Sequence, residues 1–277
     1  MDRISAFKSI AAQAGRGELT FPTNVDATLK LQKALADPDC HAEAAAKLVQ
    51  AEPLLAARTV AIANSAAYSR SGSDVTNVRA AIQRVGFRTL NALAAAVIVR
   101  QLDSKITQPR LRAYADQLWQ HSAHVAALAQ VIARRVSHTD PETAMFAGIV
   151  HEVGAFYMLS RAEEFPGLLD GPPEEWIEFG EVEIGRGVLA KLGVPPAVMA
   201  AIEAMWDGMR AIPPETLGDT LMLANDLAPV SSPLYARPGA STMHSASTID
   251  FVVGAGTLAS VLEESAEEVR TLTAALL

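Results

Sequence analysis

Apolar residues recur at intervals of three and four along almost the whole chain. Ile4, Phe7, Ile10 and Ala11 mark a first amphipathic helix. Thr23 with Asp26 resembles a capping box with a shorter acid, opening a helix through Leu29, Leu31 and Leu35 that Asp37-Pro38 stops. A short helix is expected over about 41–51, and another from Pro53, at home in a first turn, to about 66. Ser71-Gly72-Ser73 reads as a turn. Helices follow over 75–85 and 87–102, with Gly86 as the break between them, then over 109–136 and 141–159. Beyond Gly171-Pro172-Pro173 the pattern resumes over 174–192, 195–209 and 214–227. Residues 229–247 hold three prolines, several serines and a glycine and read as a long mobile loop, after which 248–277 returns to helix. No stretch alternates with period two and no internal repeat is visible, so the fold class is all-α.

Composition adds size and charge. The 277 residues are 50% hydrophobic, 19% charged and 5% aromatic, enough for a sizeable aliphatic, alanine-rich core. The length suits one large domain or two small ones, and the helices divide into lobes at 1–104 and 105–277. The net charge of −8 disfavours general nucleic-acid binding, which needs clustered Lys and Arg. That charge is uneven: residues 58–112 carry 9 basic and 2 acidic residues, residues 140–183 carry 11 acidic and 1 basic. Such blocks are either solvated helix faces or complementary docking surfaces, between lobes or between chains, which leaves room for a homo-oligomer. Cys40 is the only cysteine, which rules out an internal disulfide framework and a thiolate zinc cage. No signal peptide is seen, and the most apolar run, 93–99, falls far short of the ~20 residues of a membrane span. A soluble, cytoplasmic protein with no membrane partner is expected.

Several motifs fail on inspection. Gly185-Arg186-Gly187 with Ala190, and Gly254-Ala255-Gly256 with Ala259, fit a dinucleotide fingerprint on paper, but neither sits in a complete strand–helix–strand unit. There is no Walker lysine motif and no Gly-x-Ser-x-Gly elbow. Cys40, beside His41, reads as an inert thiol. The histidines are His41, His121, His124, His138, His151 and His244. His121 and His124 share one helix face, and His151-Glu152 lies on the next helical segment. Imidazole and carboxylate on adjacent helices suit a hard or borderline divalent ion, and equally suit buried, hydrogen-bonded histidines.

The sequence Asn64-Ser65-Ala66-Ala67-Tyr68, followed by Ala81-Ile82, Val85-Gly86-Phe87 and Leu90, resembles the signature of the HDOD domain, the HD-related output domain of bacterial signalling proteins. Leu118-Trp119-Gln120-His121-Ser122, Gly148-Ile149-Val150-His151-Glu152-Val153-Gly154 and Gly193-Val194-Pro195 match the same family, so the resemblance runs over about 19–207. It implies an all-α bundle related to the HD metal-dependent phosphohydrolases, whose metal is held by a histidine, a His-Asp doublet and a later aspartate. Carried over, these positions fall on His121, His151, Glu152 and Asn225, with Asp226 as the alternative register for the last. The doublet acid is thus one methylene longer and the final acid a neutral amide. The resemblance therefore implies a vestigial metal site, with no metal or other cofactor expected and no catalytic residue assigned.

Asn64, Ser65, Tyr68 and Gly86 read as fold determinants or as part of a binding surface: Asn64 serving a loop backbone, Tyr68 with a buried ring and bonded hydroxyl, Gly86 supplying left-handed backbone or close approach. The function implied is a non-catalytic signal-transduction regulator, working by protein–protein docking or by sensing a small ligand between its lobes. Its expected partners are a sensor kinase, a response regulator or a cyclic-dinucleotide enzyme, met in trans since no such segment is fused to it. Arg79, Arg84 and Arg88, within the basic stretch, are the candidate interaction surface and a weaker candidate anion or nucleotide sensor. The alternative is a divergent metal-dependent phosphohydrolase using His121, His151, Glu152 and Asn225 or Asp226.

Overall fold

A computed structural model describes residues 2–21, 23–35, 37, 39–69, 74–208, 211–235 and 257–277. The turn read at Ser71-Gly72-Ser73, most of the loop read at 229–247, His244 and the glycine pattern at Gly254-Ala255-Gly256 lie outside them. Among the described residues there is helix and no strand.

The chain runs through α1 (Arg3–Gly15), α2 (Thr23–Leu35), α3 (Ala42–Gln50), α4 (Pro53–Ala63), α5 (Val78–Leu102), α6 (Pro109–Ile132) and α7 (Pro141–Val150). It continues through α8 (Val153–Arg161), α9 (Pro173–Trp176), α10 (Val182–Lys191), α11 (Pro196–Asp207), α12 (Leu217–Leu227), α13 (Thr257–Glu264) and α14 (Ala266–Leu276). Local chemistry sets the starts. Asp2, Asn77 and Asp140 each accept a hydrogen bond from the backbone N–H three residues on, and Thr216 with Asp219 forms a reciprocal capping box ahead of α12. α2 takes Thr23 as its first helical residue rather than as the cap before it.

α5 is the central element, because every residue from Ala92 to Val99 is buried. A helix apolar all round must be covered on all sides, and α2, α3, α4, α7 and α8 pack around it. Among the described residues it belongs to the one helical stretch long and apolar enough to cross a membrane, yet 67% of that apolar window is buried inside the protein. Gly86 breaks α5 at φ 80°, ψ 168°, a conformation open in practice to glycine alone.

The two charge blocks meet inside the molecule. Arg88 pairs with Asp140 at 2.7 Å and Arg110 with Asp170 at 2.6 Å. α1 precedes residue 104 in sequence but packs across the division, on α10, with Phe7 tilted against Trp176 at 5.9 Å. α14 likewise reaches back to α4 as well as α6.

One break was not visible in the pattern. The helical spacing over 141–159 is continuous, but the backbone interrupts it at His151 and Glu152, between α7 and α8. Successive residues of a helix point about 100° apart. The break removes that constraint and lets both side chains turn inward, where each is only 6% exposed. Gly148, one turn before, brings α7 against α6: a Cβ built there would stand 2.5 Å from the Cα of Ala126. That close approach sets the distance between the helix carrying His121 and the helix ending at His151.

Candidate functional site

The site is assembled from four places in the chain. α6 presents His121, the α7–α8 break presents His151 and Glu152, α12 presents Asn225, and the segment after α12 contributes Val230, Ser232 and Tyr235. His121 Nδ1 donates to the Val230 carbonyl at 2.7 Å, and His151 Nδ1 donates to the Gly148 carbonyl at 2.8 Å. Each neutral ring therefore carries its proton on Nδ1 and presents a bare Nε2. The two Nε2 atoms lie 3.4 Å apart, Asn225 Oδ1 lies 3.1 Å from that of His121, and Glu152 Oε2 lies 3.9 Å from it. The ligating atoms of His121, His151 and Glu152 all fall within 4.8 Å of one another.

Burial governs the protonation of this cluster. It pushes the His151 imidazole down to about 3, with neighbouring His121 adding to the effect and the Gly148 carbonyl opposing it. His121 is lowered for the same reason, against the hydrogen bond to Val230 and the nearby Asn225 amide oxygen, which favour the charged ring. Burial pushes the Glu152 carboxyl up to about 8, the Ser232 hydroxyl offsetting part of the rise. That hydroxyl is not placed to complete a hydrogen bond, and Glu152 Oε2 is left without a partner in the protein. An orphaned buried carboxylate oxygen is costly. Its position among two bare imidazole nitrogens and an amide oxygen fits a divalent cation held by His121, His151, Glu152 and Asn225.

The cluster forms the floor of a cavity of about 420 Å³. Ile202, Met205 and Trp206 from α11 form its apolar wall; Glu181, Asp226 and Tyr235 add polar groups. Tyr235 donates its hydroxyl to Glu181, whose carboxyl burial pushes up to about 7. All of this lies within residues 121–235. Asn225 is the α12 residue that turns to His121, while Asp226 lines the cavity beside it. Glu181, Trp206 and Tyr235 were not anticipated as site residues.

The other described histidines, His41, His124 and His138, stay apart from the cluster. His41 Nδ1 donates to the Asp39 carbonyl and His124 Nδ1 to the Gln120 carbonyl, both at 2.8 Å, and His138 occupies a left-handed turn. The signature residues brace the α4–α5 region, and Tyr68 ties it to α6. Asn64 closes the ends of its loop by donating to the Val75 carbonyl at 2.9 Å and accepting from the Val75 N–H at 2.8 Å. Ser65 donates to the Ile62 carbonyl, and the Tyr68 hydroxyl sits between Thr89 at 3.0 Å and the Gln130 amide at 2.8 Å. The three arginines read as an interaction surface engage groups of the chain itself: Arg79 with Glu43, Arg84 with the Ala63 carbonyl, Arg88 with Asp140. Arg79 and Arg88 remain largely exposed.

Among solved structures the chain is similar to a "putative metal-dependent phosphohydrolase" from Shewanella amazonensis SB2B, 22% identical with 100% of both chains covered and a TM-score of 0.76. It is similar to an HDOD domain protein with unknown function from Geobacter sulfurreducens, 21% identical with 99% of both chains covered and a TM-score of 0.64. A "putative signal transduction protein" from Marinobacter aquaeolei VT8 is 20% identical, with 99% of this chain and 66% of that chain covered and a TM-score of 0.60. At these identities the likeness is one of fold. No curated protein matches the chain. The family model of the HDOD domain matches residues 21–207. With that span matched, and with the signature residues placed as described, the chain belongs to the HDOD domain family.

Proposed function

We propose that this chain is a signal-transduction module that binds its ligand without turning it over. The supporting observation is that, among the described residues, the cavity brings no cationic side chain to a substrate. Its described lining includes Glu152, Glu181 and Asp226 and neither lysine nor arginine. Phosphoryl chemistry concentrates negative charge in substrate and transition state, and catalysis rests on positive groups aimed at that charge. A bound divalent ion supplies Lewis-acid polarisation, but the residues that would hold it offer one carboxylate and a neutral amide. Beyond the ion, the wall meets an incoming phosphate with further acids.

In this reading the finer role is regulatory. Occupancy of the cavity changes the packing of α6, α7, α11 and α12, and a partner signalling protein in the cytoplasm reads the change. The partner classes are those the family implies, a sensor kinase, a response regulator or a cyclic-dinucleotide enzyme. The convergence of His121, His151 and Glu152 favours the second reading, a divergent metal-dependent phosphohydrolase. Hydrolysis of bis(p-nitrophenyl) phosphate with added Mn²⁺ separates the two. The binding module gives no rate above the Mn²⁺ blank. A rate that His151→Ala abolishes overturns it.

A further inference from the structure

The cavity floor gathers two imidazole nitrogens, a carboxyl group and an amide at one point. His121 and His151 commit their ring protons to carbonyls, so both Nε2 atoms face inward as lone pairs. Glu152 is 6% exposed and its Oε2 meets no donor of the protein. Asn225 turns its side-chain amide to the same point, with Oδ1 3.1 Å from His121 Nε2. Such an arrangement is satisfied by an occupant that brings positive charge and several N–H donors at one atom. A primary ammonium does both, with three donors on a compact cation.

The remaining wall says what the rest of the occupant resembles. A bare ion fills the floor and leaves the greater part of about 420 Å³ unmatched. Above the floor stand Trp206, Met205 and Ile202, surfaces that take an apolar or aromatic body, with indole also favouring a nearby cation. The described lining offers a carboxylate or phosphate no lysine or arginine. We propose that the cavity is a receptor site for a small organic primary amine, its ammonium seated on His121, His151, Glu152 and Asn225 and its apolar body against Trp206 and Met205. The inference rests on the binding reading above and names the ligand class for that site.

The test keeps one body and changes the head. Phenethylamine, its N,N,N-trimethylated form and 3-phenylpropionate are titrated into the protein by calorimetry, with Mn²⁺ alone as a further arm. Phenethylamine binds; the trimethylated form, which has no N–H, binds at least tenfold more weakly; phenylpropionate does not bind; Mn²⁺ competes with the amine. Glu152→Gln weakens phenethylamine at least tenfold, with circular dichroism confirming the fold. Trp206→Leu, which leaves the floor intact, weakens phenethylamine but not Mn²⁺. The inference is overturned by Mn²⁺ binding without amine binding, by equal binding of the three organic probes, or by a folded Glu152→Gln protein with unchanged affinity. No amine binding and no phosphodiester hydrolysis sinks this inference alone. Amine binding together with His151-dependent hydrolysis sinks the non-catalytic reading alone.

Discussion

His121 and His151 point their Nε2 atoms at each other across 3.4 Å, and each ring is held in that pose by a carbonyl behind it. Two facing lone pairs at this range repel unless a positive group lies between or beside them. Glu152 Oε2 stands 3.9 Å and Asn225 Oδ1 3.1 Å from His121 Nε2. The four side chains therefore share one electrostatic problem, and a cationic occupant resolves it for all of them together.

The amide at position 225 sets how strongly a metal ion competes for that role. Replacing it by a carboxylate adds a full negative charge with little change of shape, in a buried place where charge–charge attraction is weakly screened. Asn225→Asp is expected to tighten Mn²⁺ binding by about tenfold or more, on the scale of the ~10–100-fold that lesser, outer-shell changes produce at metal sites. Calorimetry on both proteins measures it. Equal affinities would show that the amide is not what limits the ion.

The separation of the two histidines depends on Gly148. A methyl group there meets the Cα of Ala126 at 2.5 Å, and backbone cannot rotate out of the way as a side chain can. α6 and α7 must move apart, and overpacking of this kind costs ~1–3 kcal/mol. Gly148→Ala is expected to lower the urea midpoint accordingly and to weaken any ligand of the His121–His151 floor. A variant with unchanged midpoint would mean that the helix pair is looser than the contact implies.

These two sites show what was legible in the sequence and what was not. Glycine at 86 and proline at 109 and 141 are local signals, so the break in α5 and the starts of α6 and α7 follow from the pattern. The interruption at His151 and Glu152 does not, because apolar spacing reports which face is buried and runs unbroken through both residues. Their break serves the site, not the core. Glu181, Trp206 and Tyr235 escape for another reason: they join the cavity from distant elements, and no spacing links them. A faint signal for Glu181 exists, since it stands four residues after Ile177 and three before Ile184, on an apolar stripe.

Asn225 is held in place from the other end of its helix. Asp219 accepts from the N–H groups of Ala211 and Thr216 at 2.8 and 2.9 Å and from the Thr216 hydroxyl, while Thr216 caps back. Burial by itself would raise the Asp219 carboxyl, but these hydrogen bonds outweigh it and hold the group below its ordinary 3.8. A carboxyl lowered by folding contributes stability in full above that ordinary value and loses it as pH falls through the folded one. Asp219→Ala is therefore expected to cost about 2 kcal/mol at neutral pH and progressively less as the pH drops below 3.8. Urea denaturation across pH measures both. A deficit that grows on acidification would reverse the assignment.

Gly86 makes the opposite demand from Gly148. A Cβ there has nothing within 4 Å, so space is not the issue; the backbone at φ 80° is. Only a residue without a side chain adopts that region at low cost, and an L-residue held in it is strained by ~1–3 kcal/mol. Gly86→Ala is thus expected to destabilise the protein without any steric clash to relieve. A second-site change shortening a neighbour should give no rescue. Denaturation midpoints of the single and double variants decide it. Full recovery of Gly86→Ala by trimming Tyr68 or Thr89 would mean that packing, not torsion, fixes glycine at this bend.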